Sequence, residues 1–270
     1  MRRWIVLVAA ASFTLAPTAA SAQSAAAPDP VQAMKKQFRA ERGVDFTEVA
    51  RLRDAEPPTR RQGGIQFGTR GPVAAYLTVR DVNATDPEDE TEAVAGGDAL
   101  YTTSDVPLPK DKNWVAYRYP KGQVAPEFWT TQQTIDVFDP ASLQVTLKGA
   151  KGKAVSGGYH FQGDVTYAEL NKVARDHYAV DVDGVKSKAK AKSKIKWQLW
   201  TNSSGVIQRF VTTNYSPKGA WLKRVDTRFS EWGRWQMIPM PGVEEVIASN
   251  EVGKVPSFPT GLSLKGRAAH

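Results

Sequence analysis

From Lys186 to Lys196 a lysine stands at every second position, with Ser187, Ala189, Ala191, Ser193 and Ile195 between and Trp197 and Leu199 continuing their phase. Successive side chains of an extended strand point to opposite faces, so the six ammonium groups share one face. The intervening residues share the other, which grows more apolar towards Trp197. A helix would scatter the same lysines around its axis, and the spacing predicts a strand. A chain built on such a segment needs a sheet with one wet, cationic face and one face buried against something.

Period-two alternation recurs along the chain. Ile65 and Phe67 alternate with polar residues, and Gly71-Pro72 supplies a turn. Val73, Ala75, Leu77 and Val79 then line one face, with Tyr76, Thr78 and Arg80 on the other. Trp114 to Tyr119 sets Val115, Tyr117 and Tyr119 in phase. Tyr159 to Val165 is another predicted strand. A closing meander runs through Ile195 to Trp200, the turn Asn202-Ser203-Ser204-Gly205, Val206 to Thr213, Trp221 to Phe229 and Arg234 to Ile238. Asn83 to Asp98 reads as a break, an acidic loop holding Asp86, Glu88, Asp89, Glu90, Glu92 and Asp98 among small residues.

Helix signals are few and short. Asp29-Pro30 gives an N-cap and a first-turn proline, Val31, Met34 and Phe38 form a stripe, and Gly43 is the expected stop. Asp139-Pro140 opens a second helix to Leu147, with Leu143 and Leu147 four apart. Thr166 with Glu169 three residues on caps a third, ending near Ala174.

The first 22 residues read as an export signal. Arg2 and Arg3 form the charged start, Trp4 to Ala11 the apolar core, and Ala20-Ser21-Ala22 the cleavage site before Gln23. That apolar run is too short to span a bilayer, which takes about 20 residues. The expected organisation is a signal at 1–22, a small-residue linker at 23–30, one domain at 31–248 and a disordered tail at 249–270, with the product secreted and soluble. The chain has no cysteine, so neither a disulfide framework nor a thiol nucleophile is available. Its net charge of +8 keeps such a protein in solution and suits anionic envelope surfaces.

Residues able to carry chemistry do not assemble into a known set. His160, His177 and His270 are scattered, at neither zinc nor catalytic-pair spacing. Asp181-Val182-Asp183-Gly184 begins like a calcium loop but lacks the distal glutamate, and Asp183-Gly184 is a simple turn. Arg224, Asp226 and Arg228 fall on one strand face as an exposed ladder. The tryptophans beyond Trp4 suit a core or an apolar ligand, and stacking on nucleic acid does not fit an exported chain. No catalytic residue, metal or cofactor is expected.

Several stretches, in order, resemble the LolA/LppX-like family, the LolA-LolB-LppX/LprG superfamily of envelope lipoprotein carriers, in its secreted actinobacterial form. They are Gly43-Val44-Asp45-Phe46, Gly64-Ile65-Gln66-Phe67-Gly68, Val137-Phe138-Asp139-Pro140 and Gly158-Tyr159-His160-Phe161, followed by Ile195-Lys196-Trp197-Gln198-Leu199-Trp200, Val225-Asp226-Thr227-Arg228-Phe229 and Ile238-Pro239-Met240-Pro241. The resemblance implies an α+β, mainly antiparallel fold: a single incomplete, half-open β-barrel wrapped around short helices, with a cavity for acyl chains. Many such proteins carry a lipid on a cysteine after the signal, and Ala20-Ser21-Ala22-Gln23 offers none.

The expected function is therefore a non-enzymatic carrier or sensor of a hydrophobic, lipid-like ligand. Met34, Phe38, Ile65, Phe67, Val73, Leu77, Val79, Tyr117, Ile195, Trp197 and Leu199 are the cavity candidates, with Met34 and Phe38 as plug or gate. Lys188, Lys190, Lys192, Lys194 and Lys196 are candidates for contact with an anionic membrane or cell wall, or alternatively protect a sheet edge. The alternative function is an interaction module with a filled core, recognising an envelope protein or anionic wall polymer through its surface.

Overall fold

The computed structural model describes residues 26–53, 58–81, 90–97, 99–104, 107–118, 131–174 and 193–252. Alternation organises them into one sheet of twelve strands: β1 (Arg42–Leu52), β2 (Thr59–Phe67), β3 (Pro72–Asp81), β4 (Thr91–Gly96), β5 (Ala99–Thr102), β6 (Trp114–Arg118), β7 (Lys153–Val155), β8 (Gly158–Thr166), β9 (Lys194–Asn202), β10 (Ile207–Tyr215), β11 (Trp221–Trp235) and β12 (Val246–Ala248). Their spatial order is β12-β6-β5-β4-β3-β2-β1-β11-β10-β9-β8-β7. Neighbours are antiparallel except β12 and β6, which run parallel. Among the described residues the two ends of the sheet do not pair, so the barrel is incomplete and mainly antiparallel, as expected.

Three short helices accompany it: α1 (Pro30–Lys35), α2 (Pro140–Thr146) and α3 (Tyr167–Val173). Each starts where a side chain satisfies first-turn N–H groups. Asp29 accepts from Val31 N, Asp139 accepts from Ala141 N and Ser142 N, and Thr166 and Glu169 close a reciprocal capping box. None is long enough to cross a membrane. Their apolar sides face the sheet, where Met34, Leu143 and Leu170 are fully buried.

Several expectations are corrected. Helix α1 stops at Lys35, so Phe38 lies beyond it, and Gly43 is a strand residue where a Cβ would collide with the Ile65 carbonyl oxygen. Part of the expected acidic break is strand: Thr91 to Gly96 forms β4, while residues 82–89 lie outside the described residues. The separate strands expected at Trp221–Phe229 and Arg234–Ile238 are one strand, β11, and Ile238 falls past its end. Near its end the register against β1 slips between Gly43 and Asp45, where Glu231 and Gly233 have φ of 53° and 78°. That bulge bends the strand and re-aims Trp232 inward, where its indole N–H donates to the Ile207 carbonyl at 2.7 Å. Residues Ser249–Glu251, expected in the tail, form a 3-10 turn that seats Val252 in the core.

Candidate functional site

The inner face of the sheet has two regions of different chemistry. The first is apolar and aromatic. Phe67 on β2 lies 5.3 Å from Phe38, 5.7 Å from Phe138 and 5.9 Å from Trp232, measured between ring centroids. Phe138 also meets Phe229 of β11 edge-on at 5.6 Å. These rings come from the sheet, the segment after α1, the coil at 131–139 and the β11 bulge. One cluster therefore fastens several chain segments to the sheet.

The second region is polar and equally buried. Val44 and Phe46 of β1 are followed in the same phase by Glu48, and Ile65 and Phe67 of β2 are preceded in phase by Arg61. Both charged side chains are fully enclosed, 3.6 Å apart. Glu48 also accepts from the Thr227 hydroxyl at 2.7 Å and from Gln132 N at 2.8 Å. The Gln133 carboxamide donates to Thr227 Oγ1 and to the Phe210 carbonyl and accepts from the Thr212 hydroxyl. Asn214 Nδ2 reaches Thr134 Oγ1 and the Tyr167 hydroxyl, tying the coil to β10 and α3. Lys223 is buried nearby and adds positive charge. The coil is thus bolted under the sheet by polar bonds at one end and by Phe138 at the other.

Burial pushes the Glu48 carboxyl above its ordinary value, opposed by the charge of Arg61, the Thr227 and Gln132 bonds and Lys223. A carboxyl raised in the fold binds its proton more tightly there than in the unfolded chain. Its contribution to stability is present in full below the unfolded value of about 4.3 and is lost as pH rises through the folded value. Urea titrations are expected to show that decline in the native protein. The decline is expected to be absent for Glu48→Gln, which keeps an acceptor for Gln132 N and has no charge to desolvate. An unchanged profile in the variant would remove Glu48 as the titrating group.

Most of the expected cavity residues come together. Met34, Ile65, Phe67, Leu77, Val79, Tyr117, Ile195, Trp197 and Leu199 are buried in one core, and Phe38 packs half-buried against it. They lie beneath the cover of helices and coil rather than on an open wall. Val73 does not join them: at 51 % exposed it sits just past the irregular register at Gln66/Phe67, at the rim of the sheet. There it borders a groove of about 480 Å³ with Pro72, Phe138 and Pro140.

Lys194 and Lys196 project from the outer face of β9, with Lys196 Nζ 5.4 Å from the Tyr215 ring centre. Lys188, Lys190 and Lys192 lie outside the described residues, as do His177, Asp181, Asp183 and Trp129. For the described lysines, edge protection is corrected: β9 is paired on both sides, by β8 and β10. His160 stacks on Trp200 with ring centres 4.6 Å apart. Among the described residues no group of His, Asp or Glu is placed to hold a metal ion.

The residues that sequence reasoning missed are the polar bolt: Glu48, Arg61, Gln132, Gln133, Thr227 and Lys223. A signal existed, since Glu48, Arg61 and Lys223 each hold the strand phase of the apolar residues beside them.

No family profile and no curated sequence matches this chain. Solved structures do overlap with it in outline. LprF from Mycobacterium bovis is 14 % identical at a TM-score of 0.44, covering 78 % of this chain and 95 % of its own. A DUF1329 family protein from Desulfovibrio piger is 8 % identical at 0.28, covering 75 % and 92 %. A putative outer membrane lipoprotein-sorting protein domain from Vibrio parahaemolyticus is 9 % identical at 0.25, covering 75 % and 89 %. This chain is similar to them in general outline, each TM-score lying below 0.5.

Proposed function

We propose that the chain is an exported, non-enzymatic carrier or sensor that takes up a hydrophobic envelope molecule, such as an acyl chain, against the inner face of its half-open sheet. One observation carries the reading: among the described residues the apolar inner face is covered by helices of six and seven residues and a coil, not by a second sheet. Helices that short are marginal alone and hold their shape only while docked. A cover of this kind is exchangeable, and a ligand that buries the same area replaces it at about 25 cal/mol per Å² of apolar surface. Phe38 is the first piece to give way, because it is half-buried and lies outside helix α1. Among the described residues the Trp197 indole N–H and the Asn214 amide oxygen lack hydrogen-bond partners, and both lie on the inner face, suited to a ligand's polar end.

The test starts from the chain purified without residues 1–22. Native mass spectrometry after lipid extraction is expected to find co-purified lipid, and a fluorescent fatty acid is expected to bind. Phe38→Ala is expected to cost only about 1 kcal/mol, since the ring is partly exposed at the margin of the core. It is also expected to bind the fatty acid several-fold more tightly, because less of the cover must be displaced. A lipid-free protein that ignores the probe, with or without Phe38, would sink the carrier. A second reading, a surface interaction module with a permanently closed core, is favoured by the burial of the inner-face residues, and that outcome is the one it expects.

A further inference from the structure

The outer face of the central strands carries an arrangement that the inner face does not require. Three pairs of arginines stand directly opposite one another across neighbouring strands: Arg51 with Arg224 on β1 and β11, Arg60 with Arg80 on β2 and β3, and Arg209 with Arg228 on β10 and β11. Like charges in that register repel and cost the sheet stability. Counter-charges are few. Asp226 takes both of its carboxylate bonds from Arg209, with Arg209 Nε 2.8 Å from Oδ1, and Glu90 lies 3.5 Å from Arg80. Among the described residues, Arg51, Arg60, Arg224 and Arg228 form no ion pair.

Between these pairs lies a groove of about 520 Å³. Arg60 and Arg80 stand on one side of it, Asp226 faces Arg60 across Val49, and Arg228 lies one pleat along opposite Thr47. Glu90 lines it as well, its carboxylate and that of Asp226 already held by Arg80 and Arg209. One pleat away, Thr47, Gln62 and Thr78 face each other across β1, β2 and β3, adding two hydroxyls and a carboxamide. The cations here are all guanidinium groups, whose planar forks match the oxygens of a phosphate two at a time. The geometry points to this groove as a binding site for a phosphate group, carried on a soluble ester or on a lipid headgroup. The bound anion neutralises the repulsion that the empty sheet bears, so the protein gains stability when the site fills. The site lies on the face opposite the apolar one, and it stands whether or not a hydrophobic ligand binds there.

Two phosphate sources separate the possibilities: sn-glycerol 3-phosphate followed by calorimetric titration, and vesicles of phosphatidylglycerol in phosphatidylcholine followed by flotation. At least one is expected to bind, and less tightly as salt rises. Binding of the free ester assigns a soluble ligand, and binding of vesicles alone assigns a headgroup at a surface. Arg60→Ala and Arg228→Ala are each expected to weaken binding by about tenfold or more, the worth of a charge-assisted bond. Arg60→Lys is expected not to restore it, because an ammonium keeps the charge and loses the fork. Without phosphate both alanine variants are expected to melt at or above the native temperature, which confirms that they fold. The proposal is overturned if neither source binds, if the alanine variants bind like the native protein, or if Arg60→Lys binds equally well.

Discussion

Glu48→Ala is expected to lower folding stability by about 3–5 kcal/mol, read as a fall in the urea midpoint at neutral pH. The size follows from what is left behind. Arg61 keeps its guanidinium in a fully enclosed site with its carboxylate gone, while Gln132 N and the Thr227 hydroxyl lose their acceptor. Replacing both charges by leucine is expected to recover part of the loss, because the enclosed guanidinium leaves with its partner while Gln132 N and the Thr227 hydroxyl still lack an acceptor. A single variant within about 1 kcal/mol of the native protein would mean that solvent reaches Arg61. A double variant no more stable than Glu48→Ala would mean that the pair stabilises the fold outright. Because Glu48 holds the coil through Gln132, the single variant is also expected to speed hydrogen exchange at Gln132 and Gln133 ahead of the sheet amides.

The same residues explain what could be read from the sequence and what could not. Strands whose inner phase is apolar throughout, such as Ile195-Trp197-Leu199 on β9 and Val115-Tyr117 on β6, announce themselves by period two. Strand β1 pairs with both β2 and β11, and yet its inner phase runs Val44, Phe46, Glu48, Ala50, with a carboxylate where hydropathy requires an apolar residue. The early half of β2 is hidden in the same way by Arg61. Each charge is intelligible only beside the other, across a strand pair that local sequence does not specify. Strand β4 is hidden for a different reason, since Thr-Glu-Ala-Val-Ala-Gly is small and polar enough to pass for loop. Helix starts were legible because their caps are local, whereas the end of α1 was not, because the turn after Lys35 and the strand position of Gly43 depend on tertiary packing. Most cavity candidates were legible as one apolar face. Val73 shares their phase but sits at the sheet's rim, a distinction that alternation cannot make.

Phe67→Ala is expected to cost about 3–5 kcal/mol, as large as the loss of the buried charge but for an unrelated reason. Its ring is fully buried and meets rings from the segment after α1, from the coil and from the β11 bulge at 5.3–5.9 Å. Truncation removes the surface against which all three pack, and the strands around it are too well paired to collapse into the gap. Phe67→Leu keeps most of the volume and is expected to lose less than about 2 kcal/mol. An apolar space of that kind stays dry and takes up a small aromatic. Benzene is therefore expected to raise the melting temperature of Phe67→Ala while leaving the native protein unmoved. A loss below about 1 kcal/mol would mean that the rings are loosely packed and that other contacts hold the cover. The proposed exchange of Phe38 for a ligand depends on this cluster being the fastening. A strong effect at Phe67 with a weak one at Phe38 is what a cover firmly rooted in the sheet and loose at its margin requires.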